Sequence, residues 1–172
     1  MQKASVLYQQ HHKTRLCCKG TGHTMTNTTI RDIRPQDEAQ WQMLWQAYLE
    51  FYQSTVPAEV YTTTFNRLCD PARPHQRALV AEQADGTLIG LVHIIFHAHN
   101  WRIEDVCYLQ DLYVAPAARG LGIGRALIEA TYALADAAGT PSVYWMTQEF
   151  NHNARLLYDR IGTLTPFIKY QR

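Results

Sequence analysis

Residues 113–125 read Tyr113-Val-Ala-Pro-Ala-Ala-Arg-Gly-Leu-Gly-Ile-Gly-Arg125. An apolar strand pattern, Val106 to Val114, is closed by Pro116, and a helical pattern opens after Gly124. Between them, Arg119, Gly120, Leu121, Gly122, Ile123 and Gly124 form a glycine-rich strand-to-helix turn. Small residues let backbone N–H groups converge on one point, and the helix N-terminus adds its dipole. Such a turn binds phosphate without a lysine. Two familiar phosphate turns are excluded. The dinucleotide spacing G-x-G-x-x-G fails, because the sixth position from Gly120 is Arg125 and from Gly122 is Leu127. No Gly-Lys-Ser/Thr exists for a P-loop.

Upstream of the turn, Thr28 to Arg34 is a short strand pattern ended by Pro35, and Asp37 is placed to cap a helix. Trp41, Leu44, Trp45, Tyr48, Leu49 and Tyr52 then fall on one helical face. A second helix runs from Pro57 to about Asp70, with Val60, Tyr61, Phe65 and Leu68 as its apolar positions. Arg77 to Ala84 and Thr87 to Ala98 are strands joined at Asp85-Gly86, a strong hairpin signal. Downstream, Ala126, Leu127, Ala130, Leu134 and Ala138 mark a helix stopped by Gly139 and Pro141. Ser142 to Thr147 is a strand, Asn151 to Ile161 a helix stopped by Gly162, and Phe167 to Gln171 a last strand. The order β-α-α-β-β-β-α-β-α-β predicts one mixed α/β domain.

Composition narrows the function. The chain has 172 residues, 47% hydrophobic and 18% charged, which fits one globular domain. Sixteen Lys and Arg stand against fifteen Asp and Glu, a formal net charge of +1. That balance gives no chain-wide field for nucleic acid. No apolar run reaches the roughly 18 residues of a membrane span. Residues 1–24 are basic, lack any acidic side chain and contain no signal-type apolar core. They are expected to be a disordered extension or an alternative start ahead of Met25, with the folded domain at 25–172. Cys17, Cys18, Cys69 and Cys107 have no metal or disulfide spacing, which fits a reducing cytoplasm. Cys107 reads as a buried strand cysteine.

The stretch Leu112-Tyr113-Val114, Pro116, Arg119, Gly120, Gly122 and Gly124 resembles the acetyl-CoA motif of the GNAT superfamily, the Gcn5-related N-acetyltransferases. In that motif, Arg119, Gly122 and Gly124 fill the pattern Arg/Gln-x-x-Gly-x-Gly/Ala. A second match follows in the family's order: Asn151, Ala154, Leu157 and Tyr158, then Gly162. The resemblance covers about Thr28 to Arg172. It implies an α+β fold with a central, largely antiparallel twisted mixed sheet flanked by helices. A splayed strand pair would hold acetyl-CoA. Within the superfamily, Tyr108-Leu-Gln-Asp-Leu-Tyr-Val114 is similar to spermidine/spermine-type acetyltransferases. Val143 to Gln148 and Ala154 to Asp159 are similar to the yeast polyamine/histone acetyltransferase group.

That resemblance implies roles. The backbone of Arg119 to Gly124 would take the pyrophosphate, with Arg125 as a nearby charge. Leu112, Tyr113 and Val114 would offer a strand edge to the pantetheine amides. Asn151 and Ala154 would face the same arm. Tyr158, on an amphipathic helix, reads from periodicity as a core tyrosine and from the motif as the general acid for the departing thiolate. The base is open among Glu104, Asp105, Asp111 and Glu149. Gln110 stands where the spermidine/spermine type carries an acid. Glu50, Tyr52 and Trp145 are candidates for the acceptor side. The acceptor expected is a polyamine-like small amine or the lysine of a peptide. An amino acid, an aminoglycoside or a protein N-terminus is the alternative, as is a non-catalytic acyl-CoA-binding module. Family members are often dimers, and the aromatic-rich chain permits a homodimer interface.

His93, His97 and His99 share one strand face by period two. No carboxylate or cysteine spacing supports a metal there, and residues 93 and 97 lie about 13 Å apart along a strand. No metal is expected.

Overall fold

The computed structural model describes residues 28–172. The expectations for residues 1–24 and Met25, including Cys17 and Cys18, lie outside the described residues. Five strands, β1 (Thr29–Asp32), β2 (Gln76–Glu82), β3 (Leu88–His97), β4 (Val106–Val114) and β5 (Val143–Trp145), form one sheet in chain order. The first four pair antiparallel, and β5 runs parallel to β4. The intervening helix α3 (Ile123–Ala137) makes the crossover that a parallel pair requires.

The helices α1 (Glu38–Phe51) and α2 (Ala58–Cys69) cover one face of the sheet. Their aromatic stripe supplies that half of the core, with Trp41, Trp45 and Phe65 buried against Val80, Leu91 and Tyr113. The opposite face carries α3 and α4 (His152–Ile161). Leu127 and Ile128 are fully buried there on Val92, Ile94 and Leu109.

Two local expectations change. Asp37 does stand at the N-cap of α1, but its carboxylate makes no cap bond to that helix. It accepts instead from the Arg34 N–H at 2.8 Å and from Arg31 at 2.6 Å. Arg31 also reaches Glu82 at 2.7 Å, so an ion triad ties β1 to β2 and to the start of α1. The second change is at the C-terminus. Phe167 to Gln171 forms no strand, and Phe167, Ile168 and Tyr170 are exposed. An alternating apolar pattern needs a neighbouring edge to become a strand, and among the described residues this segment pairs with no strand of the sheet.

Candidate active site

The site begins with an irregularity in β4. His93 of β3 pairs with Asp111, but its neighbour Ile94 pairs with Leu109. Gln110 is therefore an extra residue, a β-bulge that bends the strand. On the other edge, β4 pairs with β5 only from Cys107 to Leu109, ending at the pair Leu109–Trp145. Beyond it the two strands part. Among the described residues, no strand pairs with the β5 side of β4 from Gln110 to Val114.

The gap is a narrow cleft lined from several elements. Tyr48 and Tyr52 come from α1; Leu109, Gln110 and Leu112 from β4; Ile128 from α3; Trp145 and Met146 from the end of β5; and Tyr158 from α4. Residues from both faces of the sheet thus meet in one opening. A larger, shallow depression lies elsewhere, lined by Arg67, Asp70, Arg73 and His75. It shares no residue with the glycine turn or the strand gap.

The glycine turn sits at the end of the same strand. Gly120 and Gly122 have φ of +77° and +82°, and open space surrounds the position of a Cβ at each. Gly122 is the N-cap of α3, and the Ala126 N–H donates to its carbonyl at 3.0 Å as the first helical bond. The N–H groups of Ile123, Gly124 and Arg125 precede that bond and so point out of the helix end. Ile123 is buried and anchors the turn, while Leu121 is half exposed. Arg119 folds back on β4: its Nε donates to the Val114 carbonyl at 3.1 Å, and its guanidinium lies 5.7 Å from the Tyr113 ring centre. Arg125 is exposed and pairs with Glu129 at 3.4 Å.

Tyr158 lines the cleft against Trp145, rings 5.5 Å apart and edge to face. Burial, then the nearby Tyr52, pushes its phenol up to about 12, so it holds its proton throughout the neutral range. Asn151 is the N-cap of α4. Its side-chain amide donates to the Thr147 hydroxyl at 3.2 Å and to the Tyr52 hydroxyl at 3.4 Å. Gly162 ends the helix where a Cβ would lie 2.6 Å from Trp145 Cη2. Ala154 is half-buried on α4.

Tyr52, Gln110, Leu112, Trp145, Asn151 and Tyr158 are therefore brought together. Glu50 is not: it is exposed, takes a bond from Gln46 Nε2 at 2.9 Å and does not line the cleft. Asp111 does not line it either. It is buried and paired with His93, 2.8 Å from Nδ1. His97 instead meets the Tyr144 hydroxyl at 3.0 Å, and His99 lies beyond β3, so the expected histidine row is split. Among the described residues no cluster of three metal-ligating side chains exists. Cys107 is fully buried, and burial pushes its thiol up to about 11, the opposite of an activated nucleophile. Sequence reasoning missed Tyr48 and Met146. Tyr48 falls on the apolar stripe of α1 and reads as core; its position four residues before Tyr52 was the available signal.

Comparison with known proteins agrees with this geometry. The Acetyltransferase (GNAT) family pattern matches residues 41–163, and the chain belongs to that family. It is 43% identical over 143 residues to the D-amino-acid N-acetyltransferase HPA3 of Saccharomyces cerevisiae, covering 83% of this chain and 89% of that protein. It is 34% identical over 86 residues to the streptothricin acetyltransferase of Streptomyces lavendulae, covering 50% of this chain and 43% of that one. Among solved structures, AAC(6')-Iy in complex with a bisubstrate analogue superposes with a TM-score of 0.74 at 18% identity, over 86% of this chain and 98% of the other. The fold is that of the superfamily, as the glycine turn and the Asn151–Tyr158 helix predicted. The chain is a GNAT-family N-acetyltransferase and uses acetyl-CoA. Among the described residues no helix is long and apolar enough to cross a membrane.

Proposed function

We propose that this enzyme acetylates the α-amino group of a small free amino acid, in the D configuration. The observation that carries this reading is the 43% identity, over most of both chains, to a D-amino-acid N-acetyltransferase. The polyamine-or-lysine acceptor has less behind it. Gln110 replaces the acid of the spermidine/spermine pattern, and Glu50 stands away from the cleft.

Acetyl-CoA fits the residues present. The open edge of β4 past Leu109–Trp145 can pair with amides, and the turn at Gly120 and Gly122 leaves room for a pyrophosphate on outward N–H groups. The residues to hold it are Leu112, Tyr113 and Val114 along the strand and Arg119 to Arg125 at the turn. Asn151 and Ala154 would face it from α4. When bound it supplies an acyl group activated as a thioester.

The chain's own residues would then act as follows. The β4 edge orients the carbonyl and offers an N–H to its oxygen as negative charge develops. Trp145, Met146 and Leu109 exclude water. The amine gives up one proton on becoming an amide, and the departing thiolate takes up one. Tyr158, protonated across the neutral range, is the donor aimed at the thiolate. Among the described residues no activated nucleophile lines the cleft, which supports direct transfer with both substrates bound together.

The test is thiol release from acetyl-CoA with D- and L-amino acids, spermine, a lysine peptide and an aminoglycoside. Turnover highest with D-amino acids is expected. Turnover with spermine or the lysine peptide alone would overturn the acceptor assignment.

A further inference from the structure

Among the described residues, none of the nine that line the cleft is charged. Besides three phenols and the Trp145 indole, the Gln110 amide is the only polar side chain among them. Gln110 is the extra residue of the bulge, and it is exposed while its neighbours Leu109 and Asp111 are buried. Both neighbours are fixed. Leu109 pairs with Ile94 on one side and with Trp145 on the other. Asp111 pairs with His93, and its Oδ2 accepts from Trp45 Nε1 at 3.2 Å and lies 2.8 Å from His93 Nδ1. Trp41 Nε1 donates to His93 Nε2 at 2.8 Å. An indole nitrogen can only donate, so the imidazole proton sits on Nδ1 and is given to Asp111. Two indoles and an imidazole thus clamp the bulge and turn the Asp111 carboxyl into their own network. A bulge held on both sides re-aims one side chain, and here that side chain is Gln110.

Leu109–Trp145 is the last pair of β4 with β5, so Gln110 is the first residue of the open edge. Its backbone belongs to the coenzyme side, while its side chain lines the cleft with Tyr48 and Tyr52. The hydrogen bonds around the cleft join Asn151 to Tyr52 and Thr147, and Asp111 to Trp45 and His93; the Gln110 amide enters none of them. We propose that the Gln110 amide N–H groups bind the carboxylate of the amino-acid substrate, which makes Gln110 the residue that separates amino acids from amines without a carboxylate. The inference rests on the amino-acid reading above and holds for either configuration. In an amino acid the carboxylate hangs on the carbon that bears the reacting nitrogen. A group that holds it must therefore stand beside the reacting centre, as the first residue of the open edge does. The amide gives the carboxylate charge-assisted hydrogen bonds and brings no charge of its own to desolvate. A glutamate of the same shape would set carboxylate against carboxylate and would favour a cationic amine instead.

The test pairs the amino acid turned over best in the screen above with the carboxamide of the same amino acid. Wild type, Gln110→Leu and Gln110→Glu are assayed with both, and the ratio of the two kcat/KM values is read in each protein. Comparing that ratio between proteins cancels the different basicity of the two amines and any general loss of activity. Gln110 is exposed, so neither variant disturbs the core. The ratio of free acid to carboxamide should fall roughly tenfold in Gln110→Leu and further in Gln110→Glu, with the carboxamide itself little affected in Gln110→Leu. An unchanged ratio in both variants overturns the proposal and leaves the amino-acid reading standing. Equal loss with both substrates also overturns it, because the amide would then serve the transfer and not the carboxylate. Turnover of other amines with no free amino acid overturns the acceptor reading, and this inference with it.

Discussion

The Asn151 amide donates to the Tyr52 hydroxyl across 3.4 Å, although 99 residues separate them. This bond joins the end of α1 to the start of α4 at the edge of the cleft. Asn151→Ala removes it together with the bond to Thr147. A lost hydrogen bond of this kind costs about 1 kcal/mol, or roughly fivefold. The KM for acetyl-CoA is expected to rise by at least that factor, with the melting temperature little changed. Steady-state thiol release and a thermal melt check both.

Tyr158→Phe keeps the ring packed on Trp145 and removes the hydroxyl proposed above as the proton donor to the departing thiolate. The expected loss in kcat is about 10²- to 10⁴-fold, with coenzyme affinity retained. In the wild type, a phenol pushed up to about 12 stays protonated well past the neutral range. The rate should therefore climb as the amine deprotonates, with no descending limb from this group below about pH 11. A pH–rate profile of kcat reads this directly.

Gly122→Ala puts a Cβ on a residue with φ of +82°. The space is open, so the cost is backbone strain of about 1–2 kcal/mol rather than a clash. The turn should open and the KM for acetyl-CoA should rise roughly tenfold or more. Gly162→Ala tests the other end of the site by a different route. Its methyl must displace the Trp145 ring, 2.6 Å away, and so should disturb the cleft wall and amine turnover.

Acid should unfold the domain through the triad on β1. The Arg31 hydrogen bond, more than its charge, holds the Glu82 carboxyl below its ordinary range. Burial alone would raise Asp37, but the bonds from Arg31 and Arg34 outweigh it and lower it. Both carboxyls therefore titrate below their unfolded values. Their contribution is complete above the ordinary carboxylate range near pH 4 and is lost as the pH falls through the lower folded values. Arg31→Met strands Asp37, which is 3% exposed, and should cost about 3–5 kcal/mol at neutral pH. It should also flatten the acid limb of a denaturation series.

Much of this was legible in the residues. The helix stripe of Trp41, Leu44 and Trp45, the Asp85-Gly86 hairpin and the glycine turn each carry a local signal of period or backbone freedom. The structure follows them. The bulge at Gln110 left no such mark, because neither Gly nor Pro announces it and only the pairing with β3 reveals it. The His93–Asp111 pair was hidden for the same reason. Spacing along β3 grouped His93 with His97, whereas strand register gave His93 a carboxylate from β4. Phe167 to Gln171 had a strand's pattern but no edge to join. Glu50 sat beside Tyr52 in sequence, yet one turns to solvent and the other to the cleft.

The parting of β4 from β5 also divides the gene's labour. On the proposed assignment, the donor side is written mostly in one stretch, residues 110–125, and is completed by Asn151, Ala154 and Tyr158 at α4. The acceptor side is assembled from two distant ones, around Tyr48 and Tyr52 and around Trp145 and Met146. Substitutions in α1 that spare the Tyr52 bond to Asn151 can therefore redraw which amine is welcome while the coenzyme half stays untouched. A lineage of such enzymes can change diet by editing one helix.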